Sequence, residues 1–309
     1  MTHIPVLKDE SINGLAIKKG DIVVDGTLGG GGHTYEMIKR WGKDIKIIGL
    51  DLDIDAKART LSLIAQIPSD FIFVNSGFQD IAQVLKDLDI KEVDGILLDL
   101  GISSFQLEVA GRGFSFLKDE PLLMTMKKNP NEEDLTAKEI VNTWEEESIA
   151  DIIYGFGEEK YSRKIARKIV EARKEKEIET TFDLVKIIQD AVGGYYKGLR
   201  IHPATRTFQA LRIATNSELS NLENGIEKGF NCLKKGGRMS IISFHSLEDR
   251  IVKRAFVKLK EEGKGDVLTK KPIIPNGEEI KENPRSRSAK LRLLIKIDHM
   301  SDIGTNSLK

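Results

Sequence analysis

The chain has 309 residues, which is enough for one large domain, or one domain with an insertion, around a sizeable core. Hydrophobic residues make up 40% and charged residues 31% of the chain, the formal net charge is zero, and Cys232 is the single cysteine. This is the composition of a globular protein; it excludes a disulfide framework and a cysteine-based zinc centre within one chain, and we predict no metal site.

The N-terminal residues carry no signal for export. They lack a basic segment followed by an apolar one, which is the pattern of a secretory signal peptide. No apolar run along the chain approaches the roughly 18 residues that a membrane span needs. We therefore expect a cytoplasmic protein with no membrane partner.

The first hundred residues alternate between strand and helix patterns. Aspartate follows three of the apolar runs, at Asp25, Asp51 and Asp99. Apolar strands separated by helices indicate a parallel sheet that is covered on both faces. The predicted fold class is therefore α/β, with a doubly wound, mostly parallel, Rossmann-like sheet. The four predicted strands lie at residues 22–24, 45–50, 71–74 and 96–98.

This alternation stops in the middle of the chain. Apolar residues then recur at helical spacing, and no strand pattern appears before residue 196. We predict an inserted all-helical domain over residues 134–200. The main domain would consist of residues 1–133 and 201–309.

A second helical stretch follows the predicted insertion. Apolar residues keep helical spacing from Ala204 to Leu233, and Lys235-Gly236-Gly237 is typical of a glycine that ends a helix. One strand and a closing pair of strands complete the predicted sheet. They are predicted at residues 239–243, 267–269 and 291–297.

A glycine-rich turn, DGTLGGGGH, joins the first strand to the first helix at residues 25–33. Glycine lets the backbone approach a ligand closely, and the first turn of a helix offers free N–H donors. Asp51, after the second strand, is placed to accept hydrogen bonds from ribose hydroxyls. A dinucleotide and S-adenosylmethionine both fit this physics, but the turn lacks the G-x-G-x-x-G order and looks like the first motif of methyltransferases.

Two further positions follow strands at the same edge of the predicted sheet. Phe78 is a candidate to stack on an adenine ring, and Asp99 is placed to face a sulfonium group. A carboxylate directly after four apolar residues would be costly if it were buried unpaired, which favours a functional role for Asp99. A nicotinamide-dependent oxidoreductase is the alternative from another enzyme class.

Several long segments are distinctive, among them DGTLGGGGHT, GILLDLGISS, HPATRTFQALRI, GGRMSIISFHSLEDRIVK and NPRSRSAKLR. With them the chain resembles, nearly from end to end, the ribosomal RNA small-subunit methyltransferase H family, also called MraW. The resemblance implies S-adenosylmethionine-dependent methylation of N4 of a cytidine in the decoding region of small-subunit rRNA. It also implies that the helical insertion is a substrate-recognition domain in a methyltransferase core.

The resemblance further implies partners and site residues. The implied partner is small-subunit rRNA or the 30S particle. A homodimer is an open alternative to a monomer, because the sequence does not give the oligomeric state. The exocyclic amine of cytosine is a poor nucleophile that must be positioned. We therefore predict that Asp99 accepts a hydrogen bond from it, with Ser103 or Ser104 assisting. The implied contacts to S-adenosylmethionine are Gly31, Gly32, His33, Asp51, Phe78, Asp99 and Gln106.

The sequence departs from the family pattern in two places. Phe105 replaces a proline before the implied glutamine contact, which we expect to alter only a turn. After RGFSF, an acid and an arginine of the family are replaced by Leu123 and Thr125. The loss of this charge pair motivates an alternative, a ribosome-binding paralogue that retains the cofactor but has weakened catalysis.

Positive charge is concentrated in two stretches although the net charge is zero. Residues 160–176 contain eight Lys or Arg and two Glu, and residues 285–292 contain four basic residues and no acid. We predict that these stretches contact phosphates. Tyr195 and Tyr196 are candidates either for base stacking or for packing within the insertion. A solvated helix face is the alternative interpretation.

His245 follows the fifth predicted strand, where two roles are open. It could lie at the mouth of the active site, or it could be a loop histidine that bonds to the backbone. The next residues, Ser246 to Asp249, fit a capping box that begins a helix.

Overall fold

A computed structural model describes residues 5–198 and 201–297 of the chain. The chain divides into two compact units: Met1–Gly101 with Asn221–Lys309 form the first, and Ile102–Ser220 the second. The predicted insertion, 134–200, lies within the second unit. Its role in substrate recognition stays a prediction.

The first unit contains a seven-stranded sheet among its described residues. Its strands are β1 (Ile22–Asp25), β2 (Lys46–Leu50), β3 (Asp70–Val74), β4 (Val93–Asp99), β5 (Leu233–Ser243), β6 (Gly265–Val267) and β7 (Lys290–Lys296). Their order is β3-β2-β1-β4-β5-β7-β6, and β7 runs antiparallel to both of its neighbours. The other pairs are parallel, which confirms the predicted fold class. A dinucleotide-binding sheet would instead follow the order 3-2-1-4-5-6.

Successive residues of the central strands enter two separate apolar clusters. Val23 and Leu97 belong to one cluster, whereas Val24 and Leu98 belong to the other. Because side chains alternate across a strand, this division shows that both faces of the sheet are covered. The helices of this unit are α1 (Lys8–Leu15), α2 (Gly32–Trp41), α3 (Asp55–Ile64), α4 (Ile81–Asp87), α12 (Ser246–Glu261) and α13 (Gly277–Glu282).

The second unit is built from helices around its own apolar cluster. Buried residues of that cluster include Ile140, Ile149, Ile165 and Leu184, at the helical spacing that the sequence shows. In the part of the chain that the structure describes, no helix is long and apolar enough to cross a membrane. The helices of this unit are α5 (Ser104–Glu108), α6 (Ala137–Thr143), α7 (Glu146–Gly155), α8 (Ser162–Glu175), α9 (Thr181–Val192) and α10 (Thr205–Asn216).

The single long helix predicted after Ala204 is wrong. Ser217 adopts a left-handed backbone with φ 49°, so α10 ends there and α11 (Glu218–Cys232) begins at the next residue. The predicted glycine cap is also wrong, because Gly236 lies inside β5 at φ 79°, where the pairing of β4 with β5 shifts register. Glycine adopts positive φ as readily in a strand irregularity as at a helix end, and the local sequence does not separate the two.

Candidate active site

Three carboxylates stand at the carboxyl ends of adjacent parallel strands. Asp25 ends β1, Asp99 ends β4, and Asp51 directly follows β2. Because β2, β1 and β4 are neighbours in the sheet, these side chains lie along one edge. Ligands of open α/β sheets bind outside this edge, as the sequence analysis expected.

Asp25 is buried and braces the glycine-rich turn. Its Oδ2 accepts a hydrogen bond of 2.7 Å from the Thr34 hydroxyl, and its Oδ1 accepts one of 3.3 Å from the Thr27 N–H. Burial raises the pKa of Asp25 from 3.8 to about 6. The carboxyl therefore ties the end of β1 to α2, a role that is separate from ligand contact.

Asp51 connects β2 to the same turn. Its Oδ2 accepts a hydrogen bond of 2.6 Å from the N–H of Gly29, which has φ 53°, and its Oδ1 accepts one of 2.8 Å from the Asp53 N–H. Burial raises the pKa of Asp51 in spite of these amides. A carboxylate has about four lone-pair directions, so both oxygens retain capacity for ribose hydroxyls. That role for Asp51 stays a prediction.

Asp99 differs from the other two carboxylates because one of its oxygens is unused. Within the described residues, the buried Oδ1 has no hydrogen-bond partner, and Oδ2 lies 3.7 Å from Nδ1 of His33. Burial, followed by the charges of Asp25 and Glu248, raises the pKa of Asp99 well above its usual value. A buried acceptor without a donor is costly, so this atom marks where a ligand that donates hydrogen bonds would bind.

Gly31 and His33 position the start of α2. Gly31 precedes the helix at φ 77°, and a Cβ there would lie 2.4 Å from Oγ1 of Thr60. Gly32 is the first residue of the helix, where backbone N–H groups lack partners within the helix. The ring of His33 is buried, with Nε2 3.2 Å from the Val6 carbonyl oxygen and Nδ1 towards Asp99.

Phe78 lies in a short 3₁₀ turn after β3, and Gly225 of α11 makes room for it. A Cβ at Gly225 would lie 2.4 Å from Cδ2 of the Phe78 ring. Gly225 is not among the site residues predicted from the sequence. Its signal was an isolated glycine within a helical pattern, which indicates close packing when it has a purpose. Stacking of Phe78 on adenine stays a prediction.

The other predicted site residues belong to the second unit. Ser103 Oγ accepts a hydrogen bond of 3.2 Å from the Gln106 N–H, and Gln106 Oε1 accepts one of 3.0 Å from the Ser103 N–H. The pair forms a capping box that begins α5. The side chain of Ser104 lies outside the described residues. The catalytic roles of both serines and the cofactor contact of Gln106 stay predictions.

His245 is the N-cap of α12. Its Nδ1 accepts the Glu248 N–H at 3.4 Å, and Glu248 Oε2 accepts the N–H groups of His245 and Phe244. The predicted capping box at Ser246 to Asp249 is therefore wrong by one residue. The reason is that an imidazole nitrogen supplies the acceptor that Ser, Thr, Asp or Asn usually provides at this position.

The loop that departs from the family pattern is held mainly through its backbone. The Leu122 N–H donates to the Glu179 carbonyl at 3.0 Å, and the Leu123 carbonyl accepts from the Ala137 N–H at 2.9 Å. Thr125 is buried, and its hydroxyl accepts from the Lys127 N–H at 3.3 Å. This backbone anchoring does not depend on a charge pair at positions 123 and 125.

Two arginines of the basic stretches bind within the protein. Arg173 donates to the carbonyl oxygens of Val141 and Trp144, at 3.0 and 2.7 Å. Arg292 is buried, and its Nε lies 2.7 Å from Asp249. Composition alone does not show that these two arginines bind within the protein, because that depends on which face of the helix or strand is buried.

The carboxyl edge fits S-adenosylmethionine by its own chemistry. Asp99 offers a vacant acceptor beside the turn, and the positive charge of a sulfonium would favour its ionised form. Gly29 and Gly31 both have positive φ, so the turn presents main chain where side chains would stand. Pyrophosphate binding would call for the dinucleotide spacing, which this turn lacks.

Comparison with known proteins gives close matches over nearly the whole chain. The model of the MraW methylase family matches residues 1–297. A ribosomal RNA small subunit methyltransferase H from Clostridium botulinum (strain Kyoto / Type A2) is 47% identical over 310 residues, covering 96% of this chain and 99% of the relative. Proteins of the same name from Acetivibrio thermocellus and Sulfurihydrogenibium sp. are 48% and 47% identical, covering 96% and 94% of this chain and 99% and 98% of their own lengths.

These matches confirm the resemblance found in the sequence and, with it, an S-adenosylmethionine-dependent methyltransferase that belongs to an rRNA-modifying family. The oxidoreductase alternative is therefore wrong. Nothing in the matches supports the paralogue with weakened catalysis.

Gly31→Ala should disturb the turn through a steric clash as well as through its backbone angle. Gly20 is the matched control, because it also has positive φ, 90°, but no atom would contact a Cβ there. We expect Gly20→Ala to lower the free energy of unfolding by about 1 kcal/mol, and Gly31→Ala by clearly more. Chemical denaturation measures both variants. Equal losses would show that the contact with Thr60 has no energetic consequence.

Asp25→Asn should change the dependence of stability on pH. The folded state raises the pKa of Asp25 from 3.8 to about 6, so ionisation of this carboxyl lowers stability as pH rises through that interval. Relative to the wild type, the free energy of unfolding of the variant should increase by about 2 kcal/mol between pH 4 and pH 8. Denaturation at a series of pH values tests this, and a constant difference between the two proteins would contradict it.

Proposed function

Because the chain belongs to the MraW methylase family, we propose that it methylates N4 of a cytidine in the decoding region of small-subunit rRNA, using S-adenosylmethionine. The observation that carries the chemistry is the buried Oδ1 of Asp99, which lacks a partner among the described residues. An exocyclic amine is a donor, and Asp or Glu is its complementary acceptor.

We assign cofactor binding to the glycine-rich turn and the strand ends next to it. Asp51 would accept the ribose hydroxyls, and the first N–H groups of α2, at Gly32 and His33, would bind the carboxylate of the amino-acid part. Phe78 would contact the adenine. When bound, S-adenosylmethionine supplies an electrophilic methyl group.

Asp99 would perform two tasks for the amine. Its Oδ1 would accept a hydrogen bond and so orient the nitrogen, whose lone pair is otherwise delocalised into the ring. Burial and the neighbouring carboxylates raise the pKa of Asp99, so its carboxylate binds a proton more strongly than an exposed one would. The proton released by the amine would then be held on Asp99.

Three further properties remain predictions that follow from the same proposal. They are an assembled 30S particle as the substrate, a homodimer, and a cytoplasmic location. The names of the relatives support only the coarser statement that the substrate is small-subunit rRNA.

Methyl transfer to small ribosomal subunits tests the proposed function directly. Subunits from cells that lack this methyltransferase should accept label from methyl-labelled S-adenosylmethionine, and mapping should locate it on N4 of one cytidine. Naked small-subunit rRNA, tested in parallel, separates free RNA from the assembled particle as the substrate. No transfer by folded, cofactor-binding protein, or label on another atom, would overturn the proposal.

Asp99→Asn should lower kcat about 100-fold or more, because the amide is a weaker acceptor and cannot hold the proton. Asp266→Asn is the control, since that carboxylate is half exposed and paired with Lys260. In the wild type, kcat should fall as the pH is lowered and Asp99 becomes protonated. Calorimetry with S-adenosylmethionine separates a loss of binding from a loss of catalysis. Normal kcat in Asp99→Asn would refute this role.

A further inference from the structure

The second unit carries a stacked pair of tyrosines beside two lysines; Tyr195 is exposed and Tyr161 is half-buried. The rings of Tyr161 and Tyr195 are stacked, with centroids 4.5 Å apart and planes inclined by 29°. Nζ of Lys160 lies 5.0 Å from the centre of the Tyr161 ring, and Nζ of Lys164 lies 4.7 Å from the centre of the Tyr195 ring. We call these four side chains the aromatic platform.

A buried carboxylate holds the two segments that form the platform. Glu159 is fully buried, and its Oε1 accepts a hydrogen bond of 2.9 Å from the Tyr161 N–H at the start of α8. Its Oε2 accepts the hydroxyl of Tyr196, which belongs to the 3₁₀ turn Gly193–Tyr196. Burial, followed by the bond to Glu159, raises the pKa of Tyr196 to about 12. Glu159 therefore links the start of α8, which carries Tyr161, to the turn that carries Tyr195.

The neighbouring residues Tyr195 and Tyr196 have different environments. Tyr196 is 7% exposed and belongs to the apolar cluster of this unit, whereas Tyr195 is 54% exposed. The core therefore gains little from Tyr195. Its ring is oriented by Tyr161 and by Lys164, whose Nζ donates to the Tyr195 hydroxyl at 3.3 Å.

The charge around the platform is positive. Residues 160–170 contain five Lys or Arg and no acidic residue. Two of these cations have acidic neighbours. Nε of Arg167 lies 3.7 Å from Oε1 of Glu146, and Nζ of Lys168 lies 2.7 Å from Oε2 of Glu171. Among the described residues, Lys160 and Lys164 pair with no acidic side chain, so their charge is available to a ligand. Nζ of Lys164 lies nearer to the Tyr195 hydroxyl, at 3.3 Å, than to the centre of that ring, at 4.7 Å, and so flanks the ring.

We propose that the aromatic platform binds single-stranded RNA, with a base stacked on Tyr195 and neighbouring phosphates on Lys160 and Lys164. Stacked aromatic rings flanked by cations are the chemistry by which proteins hold unpaired nucleotides. A base within a duplex offers no free face, so the ligand is single-stranded. This inference rests on the proposed function, because it identifies where the rRNA substrate contacts the second unit.

Binding of a labelled single-stranded RNA of about 12 nucleotides to the full chain tests the platform. Tyr195→Ala should raise Kd about tenfold, the usual effect of losing one stacked base, and Tyr195→Trp should retain affinity. Tyr154→Ala is the matched control, because Tyr154 is 66% exposed in the same unit and has no aromatic or cationic partner among the described residues. Thermal unfolding should be nearly unchanged in all three variants.

The lysines have a separate signature. Replacing Lys160 and Lys164 with glutamine should lower the slope of log Kd against log salt by about 1.4, that is about 0.7 for each lost phosphate contact. A duplex of the same sequence should bind more weakly, and Tyr195→Ala should not change its affinity. An unchanged Kd for single-stranded RNA in Tyr195→Ala, or an equal loss in Tyr154→Ala, would overturn the platform.

Assays of methylation on the same variants separate this inference from the proposed function. If the wild type methylates small subunits and Tyr195→Ala matches it in both methylation and RNA binding, the platform is wrong and the function stands. If the wild type transfers no methyl group but binds RNA through Tyr195, the platform stands and the function is wrong. Weakened binding to particles with unchanged binding to naked RNA would assign the surface to a ribosomal protein and overturn the RNA assignment.

Discussion

The constraint on which the carboxyl edge of the sheet depends is the crowding of three carboxylates, one buried and two half-buried, at the ends of adjacent strands. Like charges in a low-dielectric setting raise one another's pKa, so each carboxylate needs donors or a ligand. Asp25 has donors from Thr27 and Thr34, and Asp51 has two backbone N–H groups. Asp99 has an oxygen that no described residue uses. The edge therefore consists of two carboxylates that brace the turn and one that keeps an unused acceptor oxygen.

Thr27 connects the end of β1 to the end of β4. Its N–H donates to Asp25, and its hydroxyl accepts the Asp99 N–H at 2.5 Å. The same turn is bonded to β4 through the Gly26 N–H and the Leu97 carbonyl, 2.9 Å apart. The motif thus works as a clamp between β1 and β4 as much as a loop around a ligand. The glycine-rich turn that predicts a binding loop therefore also fixes the backbone of Asp99, through the hydroxyl of Thr27.

The sheet could be predicted from the sequence because strands that are buried on both faces appear as short, continuous apolar runs. Three of the apolar runs end next to an aspartate, and the topology places those three ends at one edge. The failures were at positions where one residue type serves several structures. Ser217 breaks a continuous apolar stripe, Gly236 enters a strand instead of ending a helix, and His245 caps a helix with an imidazole. Gly225 matters only because the Phe78 ring, distant in sequence, packs against it.

The basic residues show the same limit for the proposed RNA-binding surface. Sequence counts treat Arg173, Arg292 and Lys164 alike, yet the first donates to carbonyl groups of its own unit and the second is paired with Asp249. Lys164 lies instead over an exposed ring. Because the net charge is zero, a general positive field does not explain the proposed affinity for RNA. In the proposal that affinity comes from local cations, Lys160 and Lys164, and the buried Glu159 bonds to the segments that place them beside the tyrosine rings.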